Sequence, residues 1–260
     1  MRIRLIGMVA VVALLTAGQG LAADPAAVGA DKDRSAATHN WTGFYVGANV
    51  GGSWSSNSAN LGPASTSFQP VFNAGDVATP SVGPSGMIGG LQAGYNYQVC
   101  PFGFLGIETD VQWGGPSGSK IGTTNGTPTG FVPEVTTVEQ ELTWFGTLRG
   151  RVGYIPIKEL AIYGTGGLAY GRMNESASIA FPVISQLYSG GSAGTRVGWT
   201  AGGGVEYFFC SKMSVKAEYL FIDFGSETFL INLVTGPQGT AFAKFDQTAN
   251  VFRIGINYSF

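Results

Sequence analysis

The sequence predicts an all-β fold, an eight-stranded antiparallel transmembrane β-barrel with long extracellular loops and short periplasmic turns. Three observations favour this fold: apolar and polar residues alternate along eight segments, charged residues avoid the apolar face, and short connections alternate with long ones. Composition agrees, because only 12% of residues are charged and 41 of 260 are Gly. Globular domains have roughly 25% charged residues and roughly 7% Gly.

The first segment predicts a secretory signal peptide over residues 1–23. Two arginines precede the uncharged apolar run Leu5–Leu15, and small residues around Ala22 offer a cleavage site. The run is too short for a membrane-spanning helix, which needs about 20 apolar residues. The remaining chain divides into a periplasmic N-terminal linker, residues 24–40, and the barrel, residues 41–260.

The first three predicted strands alternate clearly. Even positions from Phe44 to Trp54 are mostly apolar, whereas odd positions are mostly Gly, Asn and Ser. In Gly89–Val99 and Gly103–Trp113 the odd positions are mostly apolar, and the acidic residues of the third strand lie opposite. A period of two residues indicates a strand whose two faces meet different surroundings.

Five further segments repeat this alternation. They are Leu142–Tyr154, Leu160–Tyr170, Arg196–Phe209, Met213–Phe221 and Thr248–Phe260. The short connections are Cys100–Pro101, Ile155–Glu159 and Cys210–Lys212. Short turns of such barrels face the periplasm and long loops face outward, so an even strand count places both chain ends on the periplasmic side.

The charged residues of these strands all fall on the polar face. They are Glu108, Asp110, Arg149, Arg151, Arg196, Glu206, Lys216, Glu218 and Arg253. A soluble barrel would also separate the faces, with its charges pointing to water. The near balance of acids and bases instead suits a narrow, filled interior where charges pair. We therefore expect a barrel-interior charge network.

Aromatic residues form two predicted bands on the apolar face. The band at the loop ends consists of Trp54, Trp113, Trp144 and Trp199. Tyr and Phe residues cluster about ten residues away at the turn ends, which is the span of a tilted transmembrane strand. The four tryptophans are therefore predicted to form an aromatic girdle.

Several motifs resemble a known family. The opening Trp41–Gly47, the segment Phe104–Glu108 and the Arg-Gly-Arg strand Thr147–Tyr154 look like the small outer-membrane β-barrels of alphaproteobacteria, the RopB-like or outer membrane immunogenic protein group. The resemblance covers Trp41–Phe260. It implies a porin-like surface antigen of the bacterial outer membrane, in contact with lipid and lipopolysaccharide.

The end of the chain adds a second resemblance. Ile256, Tyr258 and Phe260 lie on one face and look like the assembly signal read by the outer-membrane insertion machinery. We expect a structural and surface-contact function, with the ligand or host partner left open. The alternatives are a porin-like diffusion channel for small solutes and an adhesin that binds ligand or host through its loops.

Other functions are not expected. Sixteen acidic against fourteen basic residues leave no cationic face for nucleic acid. Barrel enzymes that modify lipid A resemble this architecture but use a His near the outer surface, whereas the lone His39 precedes the first strand. One His and two separated Cys indicate no metal site or cofactor. We expect Cys100 and Cys210 to be free, because their turns lie nearly opposite and a disulfide needs Cα atoms within about 7 Å.

Overall fold

A computed structural model describes residues 40–55, 57–63, 81–124, 133–182, 185–234 and 240–260. The strands are β1 (Gly43–Trp54), β2 (Asn57–Pro63), β3 (Ser81–Val82), β4 (Ser85–Cys100), β5 (Gly103–Trp113), β6 (Ser117–Thr124), β7 (Glu134–Ile157), β8 (Leu160–Phe181), β9 (Gln186–Phe208), β10 (Met213–Leu233) and β11 (Thr240–Ser259). The predicted signal peptide, His39 and nearly all of the linker lie outside the described residues. Within the described residues, no helix is long and apolar enough to cross a membrane.

Eight of the strands close into one antiparallel ring. Their order is β1, β4, β5, β7, β8, β9, β10 and β11, and pairing of β11 with β1 completes the circle. Closure pairs the edge strands with each other, so the ring itself has no first or last strand. The predicted eight-stranded antiparallel barrel is confirmed.

The ring is apolar outside and polar inside between the tryptophans and the short turns. On β7, Leu148 and Val152 are 45% and 64% exposed, whereas the alternating Arg149 and Arg151 are each 1% exposed. This is the reverse of a water-soluble barrel, whose apolar side chains point inward. The outer surface of this part of the ring is therefore suited to lipid.

Several strands continue well past the tryptophans, and we call this part the extension. β7 and β8 stay paired from Trp144–Arg172 up to Val135–Ala180, β6 pairs with β7, and β2 pairs with β11. The sequence assigned residues 114–141 and 171–195 to loops, but the described parts of these ranges lie largely in strands. In these strands the inner face is apolar and the outer face is polar, since Val138 points inward while Glu139 is exposed. The sequence analysis looked for strands with an apolar outer face and therefore did not predict them.

Three apolar clusters fill the interior at different heights. At the turn end lies the aromatic cluster, formed by Trp41, Phe104, Ile155, Ala161, Tyr163 and Phe208. At the height of the tryptophans lies the girdle layer, formed by Ile88, Leu142, Phe145, Ala169, Met173, Leu220, Ile222, Phe224, Ala249 and Val251. In the extension lies the upper core, which includes Val138, Ile179, Tyr188, Ile231 and Phe245.

Candidate functional site in the barrel interior

A cluster of charged side chains lies between the aromatic cluster and the girdle layer. Strand register brings opposite charges to adjacent positions. The registered pairs are Glu108 with Arg149, Glu206 with Lys216, and Glu218 with Arg253. Because all of these side chains point inward and eight strands enclose a lumen only about one side chain wide, charges from opposite walls also meet.

Glu108 has the most cationic neighbours in this cluster. Lys216 Nζ lies 2.9 Å from both of its carboxylate oxygens, and Tyr45 Oη donates to Oε2 at 2.6 Å. Arg149 donates to Oε1, and Arg151 Nη1 lies 3.3 Å from Oε2. A buried carboxylate is tolerated only when it is paired and hydrogen-bonded, and Glu108, at 0% exposure, meets both conditions.

Two carboxylates and two guanidinium groups form a closed cycle beside Glu108. Arg253 Nη2 lies 2.9 Å from Asp110 Oδ2 and 2.6 Å from Glu218 Oε2. Arg149 completes the cycle, with Nη2 3.0 Å from Asp110 and Nη1 3.0 Å from Glu218. Each guanidinium uses its planar set of donors to join two acids from different strands. The cycle therefore cross-links the walls of the barrel.

Arg151 connects the charges to the aromatic cluster. Its Nη2 lies 2.7 Å from Glu206 Oε2, and its guanidinium carbon lies 4.0 Å from the centre of the Tyr163 ring. Tyr163 Oη in turn donates to Glu218 Oε1 at 3.0 Å. A cation over an aromatic face is attracted to it, so the charged and aromatic layers are physically continuous.

The cluster contains four acids and four bases and is neutral overall. Its members, each no more than 2% exposed, are Glu108, Asp110, Arg149, Arg151, Glu206, Lys216, Glu218 and Arg253. Glycines on the inner face make room for it: a Cβ at Gly94 would overlap the Tyr45 hydroxyl group. Balance matters because an uncompensated charge here would lie far from water.

Arg196, the ninth predicted member, does not join this cluster. Its Nη2 lies 2.6 Å from Glu227 Oε1 and 3.1 Å from Ser192 Oγ, and its side chain is 26% exposed. The residue lies past Trp199, towards the extension. Its assignment to the network was wrong, because alternation along a strand identifies the face of a residue but not its depth in the lumen.

Trp41 lies inside the turn end of the lumen, a position that the sequence did not reveal. Its ring is stacked 5.5 Å from Phe104 and meets the edge of Phe208 at 4.7 Å, and its indole Nε1 donates to Lys158 O at 3.0 Å. It is 3% exposed although it precedes β1. The available signal was Trp41 itself, the one tryptophan outside the predicted strands.

The extension contains a second polar layer, centred on Glu175. Its Oε1 accepts hydrogen bonds from Gln140 Nε2 at 3.1 Å and Gln247 Nε2 at 2.9 Å, and Asn57 Nδ2 donates to Gln140 at 2.8 Å. Burial raises the pKa of Glu175 above the usual range for a glutamate, while the amide donors partly oppose that rise. The sequence missed this layer because it placed these residues in loops.

The remaining predicted site residues lie on the outer surface. Trp113 and Trp144 are register partners, and Trp54, Trp113 and Trp199 are each about half exposed at the same end of the ring. Ile256, Tyr258 and Phe260 point outward at the end of β11. The thiols of Cys100 and Cys210 are both free and exposed. Within the described residues, no group of three or more His, Cys, Asp or Glu side chains could hold a metal ion.

Comparison with known proteins decides the family. The model of the outer membrane protein beta-barrel domain matches residues 10–260. The chain belongs to this outer-membrane β-barrel family. It is 34% identical over 223 residues to the 31 kDa outer-membrane immunogenic protein of Brucella melitensis, covering 86% of this chain and 85% of that protein. The predicted resemblance and outer-membrane location are confirmed.

One more distant relative and one solved structure are also similar to this chain. The 22 kDa outer membrane protein of Rhizobium leguminosarum is 26% identical over 219 residues, covering 84% of this chain and 79% of that protein. Among solved structures, the outer membrane protein OprG from Pseudomonas aeruginosa is similar with a TM-score of 0.49 and 12% identity, covering 84% of this chain and 96% of that chain.

Proposed function

We propose that the protein is a non-conducting structural barrel of the outer membrane that carries a rigid extension for surface contact. The observation that carries the proposal is the filled lumen. Moving from the turn end outward, an ion would meet the aromatic cluster, the neutral charged cluster and the girdle layer in succession. Each layer is built from side chains of several strands, so opening a path requires a rearrangement of the wall.

The charged cluster serves stability and uniqueness of the barrel rather than catalysis. Its carboxylates are engaged by guanidinium, ammonium and hydroxyl groups and lie away from solvent. A general acid or base must reach its substrate within hydrogen-bond distance, and these side chains cannot. We therefore assign this cluster no catalytic role.

The extension supports the surface-contact part of the proposal. Its upper core and its polar outer face resemble a water-soluble barrel, which suits a wall that rises out of the bilayer. The relatives in Brucella are named immunogenic proteins, which agrees with exposure of part of this chain at the cell surface. Lipid and lipopolysaccharide would then contact the apolar outer surface of the ring and its tryptophans, below the extension.

The two ends of the chain would serve its export and its insertion into the outer membrane. Residues 1–23 would be removed as a signal peptide, leaving residues 24–40 as a periplasmic linker before the barrel. The insertion machinery would read the exposed face formed by Ile256, Tyr258 and Phe260. This face borders β1, since Phe260 N donates to Phe44 O at 3.0 Å, so it lies at the junction that closes the barrel.

Single-channel recording tests the proposal directly. The mature chain is refolded, inserted into planar bilayers and recorded across a range of voltages. We expect no sustained conductance, because all three layers must be breached together. Steady conductance of general-porin size would overturn the proposal and would favour the diffusion channel.

A further inference from the structure

The outer face of β8 changes from aromatic to charged to polar over successive outward positions. These positions are Tyr170, Arg172, Asn174 and Ser176, and outward neighbours on one strand lie about 7 Å apart. Tyr170 meets the ring of Trp144 on β7 edge to face, with centroids 6.1 Å apart. Aromatic residues of this kind lie at the level of the lipid head groups, so Arg172 lies at that level and the next two residues lie outside the bilayer.

Arg172 presents an exposed guanidinium group at the level of the head groups. It is the register partner of Trp144 on one side and of Thr195 on the other. Among the described residues, no carboxylate lies within ion-pair distance of it. The exposed Lys120 and Lys244 lie farther from the tryptophans, in the extension. A guanidinium offers paired donors in one plane, which fit a phosphate or a carboxylate.

A polar pocket of about 520 Å³ opens on the wall next to Arg172, on the side away from the bilayer. Three adjacent strands, β6, β7 and β8, supply its outward side chains, which are Ser117, Ser119, Glu139, Glu141, Asn174 and Ser176. Small-molecule sites commonly have volumes of about 300–1,000 Å³. The wall therefore has room for a polar ligand of that size.

The pocket offers hydrogen-bond acceptors and donors to hydroxyl groups. Ser176 Oγ donates to Glu139 Oε2 at 3.2 Å, and Asn174 Nδ2 donates to Glu141 Oε2 at 3.5 Å. The second oxygen of each carboxylate accepts no hydrogen bond from the described residues. Carboxylates accept from hydroxyl groups, whereas amides and serines can donate to them. The pocket thus suits the hydroxyl groups of a sugar, while its two acids would repel an anion.

We propose that this wall binds one molecule of lipopolysaccharide, with an anionic group of its head on Arg172 and sugar hydroxyl groups in the pocket. The vertical order of the chemistry decides the ligand. Acyl chains would lie below Trp144, the anion beside Arg172, and the sugars above it. A free anion or a free sugar would use only one of these three zones. The inference rests on the proposed function and gives its lipid contact a specific site.

Native mass spectrometry of the complete mature chain, refolded in detergent, tests the anion contact. The probes are bisphosphorylated lipid A and a rough lipopolysaccharide that carries core sugars on the same lipid A. Arg172→Gln should weaken binding of both probes at least tenfold, and Arg172→Lys should restore part of the loss because it keeps the charge. Lys244→Gln removes another exposed cation and should bind like the wild type.

Filling the pocket tests the sugar contact. Ser176→Tyr places a ring in the pocket, whereas Ser178→Tyr makes the same change at the next outward position of β8, outside the pocket lining. Ser176→Tyr should weaken binding of the rough lipopolysaccharide at least tenfold and leave lipid A binding unchanged. Ser178→Tyr should change neither affinity.

Three results would overturn the inference. They are equal lipid A binding by the wild type and Arg172→Gln, an equal loss in Lys244→Gln, and equal binding of the rough lipopolysaccharide by the wild type and Ser176→Tyr. Recording the wild type in planar bilayers keeps this inference separate from the proposed function. A chain that conducts ions but loses lipid A with Arg172→Gln would refute the structural role alone.

Discussion

Arg149 shows why the charged cluster acts as one unit. It contacts Glu108, Asp110 and Glu218 at the same time. With four acids and four bases present, removing any one charge leaves a buried charge without compensation. The cost of such a change comes mainly from the partners left behind, since a buried pair contributes little net stability but its disruption is expensive.

Arg149→Met should therefore destabilise the barrel by about 3 to 5 kcal/mol. Adding Glu108→Gln restores neutrality, so the double variant should be more stable than the sum of the two single losses indicates. Urea unfolding in lipid vesicles measures each free energy. Arg196→Met is the control and should cost about 0 to 1 kcal/mol, because its ion pair is partly exposed. Additive losses would show that Arg149 and Glu108 act independently.

Glu175 gives the extension a predictable response to pH. Burial raises the pKa of its carboxyl group in the folded state, so the folded chain keeps this proton at pH values where the unfolded chain has released it. Stability contributed by the protonated group is present at low pH and declines as pH rises through the folded pKa. Glu175→Gln removes this dependence.

We expect Glu175→Gln to raise the urea midpoint of the extension at pH 8 and to leave it nearly unchanged at pH 4. Hydrogen exchange of β8 amides past Arg172 reports on this part of the chain. Glu139→Gln is the control, because it makes the same substitution at an exposed position on the adjacent strand. A larger gain at pH 4 than at pH 8 would contradict the assignment.

The long strands have an apolar outer face in the lower ring and a polar outer face in the extension. On β7, Leu148 faces outward and Arg149 inward, whereas past Trp144 the outward residue is Glu139 and the inward one is Val138. Lipid explains the lower half and water the upper half, since each medium selects its own outer face. The point of inversion locates the outer edge of the bilayer at the tryptophans.

Lysine scanning along β7 tests this inversion. Leu148→Lys should cost about 2 to 4 kcal/mol, because it places a charge near the bilayer midplane. Thr137 has the same outward parity as exposed Glu139 in the extension of this strand, so Thr137→Lys should be nearly neutral. Folding yield and urea midpoint in vesicles give both values. If Leu148→Lys folded normally and Thr137→Lys did not, lipid would have to surround the extension and water the lower ring, which is the opposite of the assignment.

The same inversion explains how far the sequence could predict the structure. The eight strands of the ring follow from alternation, because lipid imposes one rule on every outward residue. Beyond Trp144 that rule no longer applies, so Val138 and Ile179 were assigned to loops although they lie in strands. Arg196 was placed on the correct face but at the wrong depth, since register between strands depends on pairings that a single strand does not encode. Trp41 was missed because nothing in its neighbours indicates a chain that turns into the lumen.

Three layers of packed side chains follow one another along the described part of the lumen. The aromatic cluster, the charged cluster and the girdle layer are separate in composition, so no single substitution removes all of them. Such redundancy would suit the proposed structural role, because loss of one layer would reduce the stability of the barrel while the other two layers still filled the lumen.

The variant Trp41→Ala should lower the stability of the barrel without making it conduct ions. The indole contacts Phe104 and Phe208 in the aromatic cluster, and truncation of a buried aromatic residue costs about 3 to 5 kcal/mol. The unfolding free energy should fall by that amount, yet planar bilayers should still show no sustained conductance, because the cycle of Asp110, Arg149, Glu218 and Arg253 is untouched. Trp199→Ala, on the outer face, controls for loss of a tryptophan without opening the lumen. If Trp41→Ala alone produced stable channels, Trp41 would be the sole plug, and the charged cluster would have to be regarded as the lining of a pore.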